Sequence, residues 1–274
     1  MAPNNDDHVQ KTSNTLKPEP DEQPSDTRFS AEEEAALLSQ SHEQKATANN
    51  FFTTGSYSDA ITRYGQAIAS CPNYLDYELA VLHSNIAACH LKLKEWKEAV
   101  DSASRAVDGL ERLDPVPKPK AANGKDGQTA TEGKQGQEVV EIDDETERRL
   151  EDLSRTGRSL DDVRKLRVKA LLRRAKARSE LNTWASLQGA AEDYKQLSNM
   201  PSLAPLDAQT VRRALTELPP RLEEAQKREM ADMMGKLKQL GNGILKPFGL
   251  STDNFNMVKD EASGGYSMQF NQDK

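Results

Sequence analysis

Small and bulky apolar residues recur at helical spacing along most of the chain. After Gly55, the positions Tyr57, Ala60, Tyr64 and Ala67 follow one another at intervals of three or four residues. The same frame returns in a second copy and, more weakly, in a third, which are Trp96, Ala99, Ala103 and Ala106, and Ala190, Tyr194 and Leu197. Such spacing places the residues on one face of a helix that packs closely on other helices. The pattern therefore predicts a recurring pair of helices with its aromatic residues in the core.

Local signals give the bounds of these helices. Ser30 followed by Glu33 is a capping box, so the first helix should run from there to about Thr54 and end at Gly55. The other five helices of the three pairs are predicted at about 58–70, 75–93, 96–112, 159–181 and 185–198. A repeated helix pair of about 34 residues is typical of the tetratricopeptide solenoid, an all-α fold whose stacked helices form a groove. Such scaffolds usually bind other molecules rather than catalyse reactions.

Two helices and a paired segment are predicted after the third repeat. A short helix should cover about 207–218, and Pro219 should begin a long helix to about Leu245, because proline is well tolerated in a first helical turn. A terminal helix in such an array covers the exposed apolar face of the last repeat. The alternation of apolar and polar residues after Pro247 predicts a short β-hairpin or a paired extended segment.

Composition divides the chain into six segments. The first is polar and rich in proline, so it should form a disordered tail. A long acidic stretch between the second and third repeats should also be disordered, apart from a helix at about 143–156. The segments are the N-terminal tail 1–29, repeats 1 and 2 at 30–114, the acidic low-complexity insertion 115–158, repeat 3 with its following helix at 159–218, the capping helix 219–247 and the tail 248–274.

Charge, cysteine content and motifs narrow the function classes. The net charge is -7, so the protein as a whole should not seek nucleic acid or acidic membranes. Cys71 and Cys89 form no Cys-x-x-Cys pair, so reduced, buried thiols are expected. The chain shows no apolar N-terminal run and no window near the ~18 apolar residues of a membrane span, which predicts a cytoplasmic protein without membrane insertion. No catalytic motif or metal-ligand spacing is present, so neither enzyme activity nor a metal or cofactor is predicted.

Polar residues on the first helix of each pair should project into one groove. They lie one helical turn apart on the inner face of their helices. These residues are Lys45 and Asn49 in the first pair, Asn85 in the second, and Lys169 and Arg173 in the third. Two ammonium groups, one guanidinium and two amides suit a ligand with several carboxylates, because charge-assisted hydrogen bonds contribute roughly 1.5–3 kcal/mol each. The five residues form the predicted peptide-binding site.

The five residues resemble the two-carboxylate clamp of the tetratricopeptide co-chaperone and adaptor family. In that family, lysine and asparagine on the first helix, asparagine on the third, and lysine and arginine on the fifth hold the last aspartate of a chaperone tail. The segment from Lys236 to Thr252 is also similar to the tail of one adaptor of this family. The resemblance implies a non-catalytic adaptor whose partners are cytosolic heat-shock chaperones of the ninety- and seventy-kilodalton classes, which end in Glu-Glu-Val-Asp.

Two alternatives remain open at this point. One is a general scaffold that binds a GTPase-type signalling protein independently of a free C-terminus. The other is a weak RNA binder that uses the basic helix 164–178, although no aromatic residues interleave with these charges to stack on bases. A further hypothesis concerns the acidic sequence 138–143, which imitates a chaperone tail and would occupy the groove weakly.

Overall fold

Helices account for nearly all of the regular structure in the computed structural model. The structure describes residues 28–115, 144–201, 203–248 and 250–252, together with the backbone of 255–259 and 266–270. The described helices are α1 (Ala31–Thr53), α2 (Tyr57–Ser70), α3 (Asp76–Leu93), α4 (Trp96–Leu113), α5 (Asp144–Arg155), α6 (Leu160–Leu181), α7 (Trp184–Ser198) and α8 (Pro205–Leu245), with a 3-10 turn at Lys246–Phe248. The tail adds strands β1 (Phe255–Lys259) and β2 (Tyr266–Phe270).

Three helix pairs stack into a solenoid. The pairs are α1 with α2, α3 with α4, and α6 with α7, and each pair packs on the next. Alanine at the crossings lets the helices approach closely: Ala48, Ala60 and Ala67 are fully buried in the first core cluster. The architecture is therefore an all-α, three-repeat tetratricopeptide solenoid with a long C-terminal helix, as the periodicity of the sequence predicted.

The predicted helix starts are confirmed in detail. The Ser30 hydroxyl accepts a hydrogen bond from the Glu33 N–H, and the Glu33 carboxylate accepts one from the Ser30 N–H, as a capping box requires. Ser159 and Asp162 form the same arrangement at the start of α6. Gly55 has φ of 85°, a left-handed conformation that glycine adopts without strain, and it ends the turn between α1 and α2.

The helix predicted at the end of the acidic insertion is confirmed. The predicted helix at 143–156 is present as α5, and Leu153 of α5 is buried in the core cluster of the second and third repeats. Arg155 at its end donates to the carboxylates of Glu34 in α1 and Asp152. Long-range apolar and ionic contacts thus hold this helix against the repeats. Residues 1–27 and 116–143, which include the acidic sequence 138–143, lie outside the described residues.

The predicted break before Pro219 is wrong. Helix α8 runs without interruption from Pro205 to Leu245 with both prolines inside it. Val211, Leu218 and Ala225 recur every two turns and are buried, so the segments on both sides of the prolines face the core. Arg221 and Arg228 add hydrogen bonds to the Ser179 and Asn182 carbonyls at the end of α6, each at 2.7 Å. These contacts offset the backbone hydrogen bonds that the prolines remove.

The second half of α8 exposes an apolar stripe. Its exposed large apolar side chains are Met230, Met233, Met234, Leu237, Leu240 and Ile244. The terminal helix therefore covers the last repeat with its first half alone. No helix in the described part of the chain combines the length and the hydropathy that a membrane-spanning segment requires.

The chain turns back on α8 before the predicted hairpin. Thr252 donates from its backbone N–H to Asn242 Oδ1 at 2.6 Å, and a Cβ at Gly241 would lie 2.7 Å from the Thr252 methyl group. Glycine at position 241 thus gives the returning chain room to approach the helix. Strands β1 and β2 then pair antiparallel from Phe255↔Phe270 to Lys259↔Tyr266, which confirms the hairpin.

Candidate functional site

Tyr64 of α2 joins the two asparagines of the predicted site. Its hydroxyl donates to Asn49 Oδ1 at 2.6 Å, and the Asn85 side chain lies near the same hydroxyl. Tyr64 is only 2% exposed, and this burial raises its pKa to about 12, so the phenol remains a neutral donor. Because the Asn49 oxygen is engaged by Tyr64, its amide nitrogen is left as a donor for a ligand. Asn49 itself is exposed.

Arg173 of α6 reaches the same place and has neutral partners. Its guanidinium donates to the Ser84 carbonyl at 2.8 Å and to the Ser84 hydroxyl. Burial lowers the pKa of Arg173, while the nearby Tyr64 and Cys89 act in the opposite direction. Among the described residues, no carboxylate forms an ion pair with this guanidinium, whereas the adjacent Arg174 is paired with Asp193. A largely enclosed cation with neutral partners favours the binding of an anion.

Lys45 of α1 is held by an internal carboxylate. Its ammonium lies 3.1 Å from Glu78 Oε2, and His42 Nε2 lies 3.1 Å from the same oxygen. Arg158, in the turn between α5 and α6, binds the other oxygen of Glu78 at 3.1 Å and 3.2 Å. Burial works to raise the pKa of Glu78, but Lys45, His42 and Arg158 together hold it below its usual value. Glu78 is therefore an ionised carboxylate enclosed by cations.

The remaining predicted residue, Lys169, is exposed one helical turn before Arg173. The structure therefore brings Asn49, Asn85 and Arg173 together around Tyr64. Lys45 and Lys169 flank this cluster, each four residues before a member of it on the same helix. We call the residues Asn49, Tyr64, Asn85 and Arg173 the inner cluster.

Three residues of this region were not among the predicted site residues. Tyr64 was predicted as a core residue, which its burial confirms, yet its hydroxyl also orients Asn49. Ser84 directly precedes Asn85, and Glu78 lies seven residues before it, two turns away on the same face of α3. That spacing is the signal that could have identified Glu78 from the sequence.

The basic helix that suggested RNA binding is partly neutralised within the protein. Arg174 and Arg178 both bind the buried carboxylate of Asp193, and Arg164 pairs with Asp114. Arg167 is buried and donates to the Leu110 carbonyl at 2.6 Å. These pairings remove charge that would otherwise attract phosphate groups, so the structure gives the RNA alternative no support.

The cysteines and histidines add no second site among the described residues. Cys71 and Cys89 are free and buried, as predicted, and burial raises their pKa values to about 12 and about 11. Thiols with raised pKa values are poor nucleophiles at neutral pH. Within the described ranges, no group of three or more histidine, cysteine or carboxylate side chains is arranged to hold a metal ion.

Comparisons with known proteins match short parts of this chain. No family model matches it. A stretch of 75 residues, 27% of this chain, is 32% identical to the mitochondrial import receptor subunit TOM70 of Mus musculus, of which it covers 12%. A stretch of 66 residues, 24% of this chain, is 40% identical to dynein axonemal assembly factor 4 of Rattus norvegicus, of which it covers 14%. The chain thus matches a small fraction of the length of these curated relatives.

Among solved structures, the chain is similar to a crystal structure of a TPR-like protein from Chlorobium tepidum. The superposition has a TM-score of 0.39 and 15% sequence identity, and it covers 70% of this chain and 98% of that chain.

Proposed function

We propose that this protein is a non-catalytic adaptor that binds the acidic C-terminal tail of a cytosolic heat-shock chaperone through a two-carboxylate clamp. The ligand is an extended peptide that ends in Glu-Glu-Val-Asp with a free carboxylate. The observation that best supports this proposal is Arg173 of α6, a largely enclosed guanidinium whose hydrogen bonds to α3 go to neutral oxygens of Ser84.

The inner cluster and its flanking lysines match the chemistry of such an end. A C-terminal aspartate carries its side-chain and main-chain carboxylates close together, so it needs several donors that converge on a small volume. Arg173 offers a planar fork of N–H donors, and Asn49 offers an amide that Tyr64 already orients. Lys45 and Lys169 supply two further positive charges at the border of the cluster. The cations then provide affinity, and the amides provide orientation.

The relatives and the tail agree with this proposal. One relative is named as a receptor subunit and the other as an assembly factor, roles that fit a protein that works by binding others. The sequence from Lys236 to Thr252 is similar to the tail of tetratricopeptide repeat protein 1, an adaptor of the clamp family. We therefore propose chaperones of the ninety- and seventy-kilodalton classes as partners, in the cytoplasm.

A peptide titration tests the proposal. The full chain is titrated with a peptide ending in Glu-Glu-Val-Asp, once with a free C-terminus and once amidated. The free acid should bind at least tenfold more tightly, because amidation removes one of the two carboxylates. Lys176→Ala, an exposed change on the same helix as Arg173, is the matched control and should leave both affinities unchanged. Equal affinity for the two peptides would overturn the clamp.

The scaffold alternative is favoured by a different surface, the apolar stripe of α8. Exposed apolar stripes of this size on one helix commonly mark protein-binding sites. A GTPase-type signalling partner bound there would not need a free C-terminus. Replacing both Leu237 and Leu240 with Asp should abolish such binding and leave the peptide affinity unchanged. Binding of a purified GTPase that persists in this variant would exclude the stripe as its site.

A further inference from the structure

Glu78 connects the candidate site to the helix that follows the insertion. Its carboxylate is 3% exposed. One oxygen binds Lys45 of α1, and the other binds Arg158. The predicted clamp has three cations. Among the described residues, Lys45 is the one paired with an internal carboxylate, whereas Arg173 donates to Ser84 and Lys169 is exposed.

The charges around Glu78 remain balanced if Lys45 leaves. Arg158 binds Glu78 Oε1 through two N–H groups, at 3.2 Å and 3.1 Å. The same guanidinium lies over the ring of Tyr77, with 5.2 Å between Cζ and the ring centroid, which holds it in place. Glu78 therefore keeps one full ion pair and the His42 contact without any help from Lys45.

A neighbouring carboxylate shows the contrast. Asp76 is also buried on α3, two residues before Glu78, and it pairs with Arg112 and Arg149. Neither of these arginines belongs to the predicted site, so Asp76 fixes structure alone. Of the two buried carboxylates at the start of α3, Glu78 is the one in contact with a clamp residue.

We propose that Glu78 withholds Lys45 from the groove in the free protein, and that a bound C-terminal carboxylate takes Lys45 from it. This inference rests on the proposed clamp. An ammonium 3.1 Å from one carboxylate attracts a second carboxylate weakly, because the two anions repel each other. The ligand must therefore replace an existing ion pair, and Arg158 neutralises Glu78 when that happens. An end with two carboxylates, of which Arg173 holds one, can do so more easily than a single carboxylate.

Two substitutions should change the peptide affinity in opposite directions. Glu78→Gln removes the competing charge, so the free-acid peptide should bind at least threefold more tightly. Arg158→Gln leaves Glu78 dependent on Lys45, so the same peptide should bind at least threefold more weakly. Arg158 is partly exposed, and circular dichroism of the variant checks that it folds. In a Lys45→Ala background both effects should disappear, because there is no longer a lysine to withhold.

The matched control is Asp76→Asn, which removes the neighbouring buried carboxylate and should leave the peptide affinity unchanged. Effects of Glu78→Gln and Arg158→Gln in the same direction, or effects that persist without Lys45, would overturn the inference. Failure of the clamp itself has a different signature, namely equal binding of the free-acid and amidated peptides by the unaltered protein.

Discussion

The consecutive residues Arg173 and Arg174 lie on two different sides of α6 and have different partners. Arg174 and Arg178 face α7, where the buried Asp193 binds Arg174 at 2.7 Å and Arg178 at 2.8 Å. Arg173 faces α3 and donates to the carbonyl and hydroxyl of Ser84. On the α7 side, a carboxylate neutralises the positive charge and joins two helices. On the α3 side, the charge has neutral partners, and we propose that it binds the ligand. We therefore expect that stability and binding can be altered separately.

The largest effect should follow from Asp193→Ala. This change leaves Arg174 and Arg178 without their shared partner in a buried position, and breaking a buried ion pair typically costs about 3–5 kcal/mol. Urea unfolding of the full chain should show a loss of that size in the free energy of unfolding. The folded variant should bind the peptide as before, since Asp193 lies on the other side of α6. A loss below about 1 kcal/mol would show that this pair does not join the helices.

Alkaline pH should destabilise the protein through the inner cluster. Tyr64 has a pKa of about 12 in the folded chain and about 10 when unfolded, so between these values the unfolded state binds fewer protons. The free energy of unfolding therefore falls as pH rises from 10 to 12, by about 2–3 kcal/mol for this group. Tyr64→Phe should reduce the pH dependence by that amount in urea titrations. The same slope in both proteins would contradict the burial of this hydroxyl.

Arg173→Ala should weaken binding of the free-acid peptide by at least tenfold. It removes charge-assisted hydrogen bonds that contribute about 1.5–3 kcal/mol. Arg174→Ala is the matched control on the adjacent position, and it should lower stability and leave the affinity unchanged. Isothermal titration calorimetry measures both affinities. Equal losses of affinity in the two variants would remove the distinction between the two sides of α6.

The smallest effect should come from the hydroxyl of Tyr64. Tyr64→Phe removes the hydrogen bond that orients Asn49, and a neutral hydrogen bond contributes about 0.5–1.5 kcal/mol. The peptide affinity should therefore fall only a few-fold. The control is Tyr74→Phe, which removes a hydroxyl bonded to Glu34 outside the inner cluster and should have no effect on affinity. Fluorescence anisotropy with a labelled peptide resolves a change of this size.

The helix pairs could be predicted because their signals are local. The capping box at Ser30 and the alanine spacing in α2 and α4 depend on residues within one or two turns. The continuity of α8 and the docking of α5 could not be predicted in the same way. Both depend on side chains that meet across the fold, such as Leu218 against the core and Arg155 with Glu34.

The candidate site shows the same division. Helical spacing and residue type led to the prediction of Asn49, Asn85 and Arg173, which the structure places around Tyr64. The pairing of Glu78 with Arg158 joins residues 80 positions apart, and it depends on where α5 lies. No local pattern contains that information.

The central claim is that Arg173 recognises a free carboxyl terminus. The most direct measurement is a cycle of four calorimetric titrations, in which the protein and the Arg173→Ala variant each bind the free-acid and the amidated peptide. We expect Arg173→Ala to weaken binding of the free-acid peptide by at least tenfold and binding of the amidated peptide by less than twofold. The amidated peptide has no terminal carboxylate for the guanidinium to bind, so removal of the guanidinium costs it little affinity. Equal losses for the two peptides would contradict the account.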